Sequence, residues 1–249
     1  QSSVANAWKK WKGQNRGLTE LKALEKKHQL ESDLKAKTGT DVVADIAELN
    51  AQYFPYLEAR SLFIEWVYYG PDALNYAHGF SGLIEGEPGE KWDETLESMR
   101  SEEAGFRRDF DASVDEQLMA RLVEAYLQWM PDTLLPEGLK QEVEQAGGGP
   151  SWARKLYKKS VFDDDQTMSK LLDSGSAKSW ARLSKDPLYK LIKRLRTHYF
   201  EVIAPEYGRL REDIAQASGR YTKALRSAFP NRNFPIDANS TLRLTYGKV

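Results

Sequence analysis

Apolar residues recur three and four positions apart along most of this chain, and that spacing confines it to packed helices. Leu118, Met119, Leu122, Val123, Tyr126 and Leu127 form one such stripe, and Val42, Ile46, Leu49 and Tyr53 form another. An α-helix turns once every 3.6 residues, so side chains at this spacing share a face that needs cover. The expectation is an all-α fold of mostly antiparallel helices. Leu18, Leu21 and Leu24 mark a charged helix ending near Lys37, and Thr38-Gly39-Thr40 punctuates it. Pro55 predicts a kink or break near Tyr53-Phe54, because proline has no N–H to give the helix ladder. Leu57 to Tyr69 is so thickly apolar that it should be the most buried element. Asp72 to Glu85 reads as one helix, and a polar helix follows the Gly86-Glu87-Pro88-Gly89 turn to about Phe110. Ser113 to Glu116 has the form of a capping box. Asp186-Pro187 is a good N-cap and first-turn pair, and a last long helix is expected from about Pro205 to Phe229.

Two stretches depart from this pattern. Gly147-Gly148-Gly149-Pro150 is the clearest candidate joint, dividing a first helical lobe, 1–146, from a second, 150–230. Residues 231–249 begin with turn formers, and Thr241 to Tyr246 then alternates as a short extended β segment would. A lone strand after a helical domain has no sheet to join, which suggests that the chain belongs to something larger.

Composition narrows the chemistry. The chain has 249 residues, 41% of them hydrophobic, enough for a sizeable core. It has no cysteine, which excludes disulfides, thiolate metal sites and cysteine nucleophiles. No apolar run approaches the length of a membrane span, and Gln1 to Val4 does not resemble a leader. Net charge is −1 but segregated: +5 over residues 1–37, −16 over 38–149 and +8 over 150–226. A basic patch for nucleic acid is one reading, and acidic and basic helices side by side in one domain is the plainer one.

Reactive constellations are sparse. No Gly-x-Ser-x-Gly elbow is present. His28, His78 and His198 all fall within helical segments and read as solvated or hydrogen-bonded residues rather than bases. Asp163-Asp164-Asp165 lacks the alternating spacing of a calcium loop and more simply caps a helix. No metal site or cofactor is expected. Trp8 and Trp11, interleaved with Lys9, Lys10 and Lys12, could stack on bases or form the buried stripe of a helix with snorkelling lysines.

Several segments carry a resemblance. Val4 to Leu18, with its Asn6-Ala7-Trp8-Lys9 core and Gly17-Leu18, resembles the early helical domain of the bacterial dipeptidyl-peptidase seven and eleven family. Val114-Asp115-Glu116 through Tyr126, Lys158-Lys159-Ser160-Val161-Phe162-Asp163-Asp164, and Asp186-Pro187-Leu188 are similar to later segments of that domain. The most specific likeness is Asp237 to Val249, where the family's chain re-enters its peptidase barrel. The resemblance implies a helical cap over the cleft of a chymotrypsin-like barrel, in an enzyme that releases dipeptides by Ser-His-Asp chemistry. The barrel segments bearing those three residues are not in this sequence, so the chain itself is expected to be inactive. The implied partners are that barrel and the N-terminus of a peptide, with a homodimer of the parent enzyme and a periplasmic or cell-surface location. Nucleic acid and membrane are not among them. An Asn of the family's helical domain helps to bind the substrate amino group. Asn6 is the first candidate for that role here, Asn15 the second, and Trp8 a wall of the subsite. The alternative is a stand-alone helical interaction or nucleic-acid-binding module using the basic ends.

Overall fold

The computed structural model describes residues 16–234. Every regular element among them is helical. The helices are α1 (Arg16–Thr38), α2 (Val42–Val67), α3 (Asp72–Gly79), α4 (Ser81–Glu85), α5 (Glu90–Asp109) and α6 (Ala112–Trp129). A 3₁₀ turn at Asp132–Leu134 leads to α7 (Leu139–Gln145), α8 (Gly149–Tyr157), α9 (Asp165–Ser174) and α10 (Ala177–Leu183). Then come α11 (Pro187–His198), a π-helical turn (Tyr199–Ile203) and α12 (Ala204–Ala228). The all-α expectation therefore holds. The extended segment expected at Thr241 to Tyr246 lies outside the described residues.

The chain forms two compact units, residues 1–50 with 212–249, and residues 51–211. In the first, Leu34 is fully buried, while Leu21 and Leu24 stand open at 59% and 45% exposure. The periodic stripe of α1 marks a face, but a face is buried only where a partner covers it. Gly39 takes a left-handed φ of 71° at the end of α1, and Asp41 then caps α2 by accepting from the Ala44 N–H and pairing with Lys35 at 2.6 Å.

The second unit holds most of the core. α6 lies along α8, and α11 along α3. Phe63, Trp66 and Val67 of α2 are buried with Met119, Val123 and Tyr126 of α6 and with Leu188, Leu191, Ile192 and Leu195 of α11. The apolar end of α2 is thus largely core, although Tyr68 and Tyr69 emerge from it. The Trp66 indole also finds a polar partner, donating to Met119 Sδ at 3.4 Å. Phe80 and Phe162 are fully buried and meet at 5.5 Å between ring centroids. Truncating a buried aromatic of this kind to alanine costs about 3–5 kcal/mol.

Local structure differs from the sequence expectation at three places. α2 continues through Pro55 without a break. The carbonyl that loses its partner belongs to Ala51, which is exposed, so water can take the place of the missing N–H. Asp72 to Glu85 is two helices, because the chain turns at Phe80 to bury that ring while Ser81 Oγ donates to the His78 carbonyl at 2.7 Å. The α6 N-cap is Asp111, not Ser113: its carboxylate accepts from the Ser113 and Val114 N–H groups, and Glu116 instead approaches Arg154 at 3.6 Å. The last helix runs as expected, from Ala204 to Ala228; Pro205 is its second residue, just after the π-helical turn, whose wider winding accommodates a residue unable to donate to the ladder. Gly147 and Gly148 adopt left-handed φ values of 89° and 104° between α7 and α8. Gly149 is packed so closely on α6 that a Cβ would lie 2.6 Å from the Ala120 carbonyl oxygen.

Candidate functional site

The three residues singled out for substrate contact, Asn6, Trp8 and Asn15, lie outside the described residues. What the structure does reveal is how other motif segments come together, and each junction is built around a buried carboxylate.

The first is Asp115 of α6, only 5% exposed. It accepts from the backbone N–H of Asp72 at 2.6 Å and of Ala73 at 3.1 Å, and from the Tyr157 hydroxyl at 2.5 Å. It thereby satisfies the free N–H groups at the start of α3, which has no side-chain cap of its own, and ties α3, α6 and α8 to one point. Burial pushes the Asp115 carboxyl up, against the opposing pull of its three donors. Burial and the neighbouring Asp115 carboxylate raise the Tyr157 phenol, which stays a hydrogen-bond donor.

The second junction is Asp186, 4% exposed. It caps α11 through the Leu188 N–H at 2.8 Å and the Tyr189 N–H at 3.4 Å. It also accepts from the Val161 N–H at 2.7 Å and from Ser160 Oγ at 3.0 Å, and Ser160 in turn accepts from the Phe162 N–H at 3.1 Å. The Lys-Ser-Val-Phe segment and the Asp-Pro-Leu segment, 25 residues apart at the Val161–Asp186 bond, are therefore two halves of one structural unit. Burial raises the Asp186 carboxyl as well. Asp164 completes the set as the α9 N-cap, accepting from the Thr167 N–H, while Asp165 pairs with Arg107 at 3.0 Å. The triple-Asp run thus caps and braces a helix, and the described residues contain no cluster of three or more His, Asp or Glu that could hold a metal ion.

Two of the three histidines are held by hydrogen bonds. His78 Nδ1 lies 3.0 Å from Ser81 Oγ, the spacing of a nucleophile–base pair. Yet Ser81 sits one helical turn away and its hydroxyl donates to the His78 carbonyl, so the contact serves the α3–α4 turn. Burial, and then the Arg196 cation, hold the His78 imidazole below its ordinary value. His198 Nε2 is 2.8 Å from the Leu134 carbonyl oxygen. Near His78, Glu85 accepts from the Tyr189 hydroxyl at 2.6 Å and pairs with Lys193 at 2.7 Å, and these two partners, Lys193 foremost, hold its carboxyl below the usual range.

An open groove of about 590 Å³ lies between the start of α3 and the end of α5. Its floor is a run of rings, with Tyr76 stacked on Phe106 at 3.9 Å and Phe106 on Phe110 at 4.7 Å. Asp72, Glu102 and Asp109 edge it against a single cation, Arg108, which is itself bound to Asp109 at 2.7 Å. Such a surface attracts cations bearing apolar groups. No sequence motif pointed to it, because its charged edge and its aromatic floor come from segments that only the fold brings together. No described helix is long and apolar enough to cross a membrane.

The multi-helix fold resembles that of a solved structure. A structure titled "Crystal structure of Porphyromonas endodontalis DPP11" matches with a TM-score of 0.65 and 18% identity, over 87% of this chain and 31% of that one, a likeness of fold. The peptidase S46 family model matches residues 1–249, and the chain belongs to that family. It is 32% identical over 262 residues to the Asp/Glu-specific dipeptidyl-peptidase of Flavobacterium psychrophilum, covering 100% of this chain and 36% of that protein. Against dipeptidyl-peptidase 7 of Porphyromonas gingivalis the identity is 24% over 260 residues, covering 98% of this chain and 35% of that protein. The chain thus spans about a third of the length of the curated relatives it matches.

Proposed function

We propose that this chain is the helical cap of a serine dipeptidyl-peptidase, covering the active-site cleft and helping to bind the free N-terminus of the substrate. The observation that carries this reading is membership of the peptidase S46 family over residues 1–249, with relatives named as dipeptidyl-peptidases of which the chain spans about a third. In this reading the reacting His, Asp and Ser belong to a chymotrypsin-like barrel of the same parent protein, in the periplasm or at the cell surface. A homodimer of that parent is part of the same reading.

The physics of an exopeptidase supports such a division of labour. The enzyme must hold a free ammonium group and refuse longer N-terminal extensions. Oriented oxygen acceptors hold the amine. A lobe that closes over the cleft excludes water and completes the subsites. Asn6 is the proposed amine contact, Asn15 the second candidate, and Trp8 the wall beside them.

The test compares this chain with the longer parent protein, using a fluorogenic dipeptidyl substrate. The parent is expected to release dipeptide and the chain alone to release none. Asn6→Ala in the parent should raise KM about tenfold with kcat little changed, the pattern of a lost binding contact worth ~1.4 kcal/mol. Turnover by the purified chain, or an unchanged KM in the variant, would overturn the proposal.

A further inference from the structure

A second groove, of about 410 Å³, opens between α9 and α10. Lys170 of α9 faces it together with Lys178 and Arg182 of α10. Lys178 and Arg182 stand four residues apart, a spacing at which like charges on one helix face repel. Among the described residues none of the three forms an ion pair with a carboxylate. Elsewhere in the same unit several cations are matched, Lys140 by Asp132 at 2.9 Å, Lys193 by Glu85 at 2.7 Å and Arg194 by Glu142 at 2.6 Å, while Lys155, Lys158 and Lys159 form no ion pair among the described residues. Asp164, the carboxylate that feels Lys170, is already engaged by the Thr167 N–H and hydroxyl.

The bland alternative is the wet face of an amphipathic helix, since Trp180 and Leu183 anchor the other side of α10 in the core. A wet face ordinarily mixes both signs of charge. Residues 177–185 carry Lys178, Arg182 and Lys185 and no acid, and the next carboxylate, Asp186, is buried at its cap.

The groove also holds hydroxyls. Ser174 Oγ donates to Ser176 Oγ at 2.8 Å, Ser179 Oγ donates to Ser174 Oγ at 3.2 Å, and the Ser176 and Ser179 hydroxyls lie 3.1 Å apart. A closed ring of hydroxyls occupies its own donors, and rotating one outward frees an O–H for an incoming anion. No aromatic ring lines the groove, so it offers no platform for nucleic-acid bases.

We propose that the α9–α10 groove binds carboxylates of an acidic peptide segment. Lysine and arginine supply the charge, and the serine ring supplies short-range donors. The choice of peptide rests on the reading of the chain as part of a dipeptidyl-peptidase. The site belongs to the helical domain alone, and its ligand is a stretch of peptide rather than the amine.

Fluorescence anisotropy of a labelled hexaglutamate amide, titrated with the 249-residue chain at 50 mM salt, tests this directly. Saturable binding is expected, weakened at least tenfold by the combined substitution Lys178→Ala and Arg182→Ala and similarly by 300 mM salt, with no binding of a hexaglutamine amide. Lys178→Glu, which changes one exposed side chain, should abolish it, and circular dichroism confirms that each variant folds. Absence of saturable binding overturns the proposal, as does equal binding by the double variant. Tighter binding of an oligodeoxythymidine of equal charge through the same residues also overturns it, in favour of a nucleic-acid surface. Hexaglutamate binding is read on the chain itself and dipeptide release on the parent protein, so failure of either is distinguishable from failure of the other.

Discussion

Replacing Asp115 by alanine removes the acceptor on which three segments converge. The Asp72 and Ala73 N–H groups and the Tyr157 hydroxyl then lose their partner together. A buried donor left unpaired costs about 1–3 kcal/mol. Ala73 is 1% exposed and Tyr157 3%, so both bear the full cost, whereas Asp72 is exposed and water can reach its N–H. The gross loss is therefore about 2–6 kcal/mol. Alanine also relieves the burial that raises the Asp115 carboxyl, which returns part of this and leaves a net destabilisation of about 3 kcal/mol. Tyr157→Phe removes one of the three bonds and should cost about 1 kcal/mol. Urea unfolding followed at 222 nm measures both, as a lower midpoint at unchanged slope. Amide exchange at Ala73 should accelerate in the alanine variant before exchange elsewhere in α3 does. A loss below about 1 kcal/mol for Asp115→Ala would refute the idea that this carboxylate, rather than the surrounding apolar contacts, holds the start of α3.

The pH dependence of the same site has a definite sign. Because the folded Asp115 carboxyl lies above its ordinary 3.8, the native state takes up this proton first, and the group favours folding increasingly as pH falls through its raised value toward 3.8. The stability difference between wild type and Asp115→Asn should therefore move in favour of wild type on acidification, and unfolding curves at several pH values check it. Glu85 runs the other way: its carboxyl is lowered below the ordinary 4.5, so its contribution is present above 4.5 and is lost as pH falls through the lowered folded value. Glu85 is half-exposed, so Glu85→Gln should cost no more than about 1 kcal/mol at neutral pH, and progressively less in acid. Gly149→Ala should destabilise by about 1–3 kcal/mol, since its Cβ would press on backbone at the Ala120 carbonyl. Gly148→Ala meets no neighbour, but its φ of 104° with ψ of 175° is a conformation that essentially only glycine adopts, so it should also cost about 1–3 kcal/mol, through backbone strain alone, and thermal unfolding measures both losses.

Helix identity was legible because periodicity and capping are local. The α6 stripe, the Asp186-Pro187 start and the capping role of the triple-Asp run are each written within a few neighbouring residues, and each is present in the structure. The misassigned α6 cap illustrates the limit. Asp111 and Ser113 are both good caps, and choosing between them required knowing that Asp115 points into the core to cap α3. The continuous α2 shows the same limit, since what proline costs a helix depends on whether the orphaned carbonyl is wet.

By itself the sequence determined that this chain is helical, without cysteine chemistry, and similar in its motifs to a peptidase family; its own residues were enough for that. Only the tertiary structure decided what those motif residues do. Ser160 and Asp186 meet because α11 folds back beside the loop after α8, and Lys170 joins Lys178 and Arg182 because α9 and α10 share a groove. Periodicity along the chain specifies which face of each helix seeks cover. Which faces find one another depends on packing across long separations in sequence, and so does the pairing of a buried carboxylate with its donors.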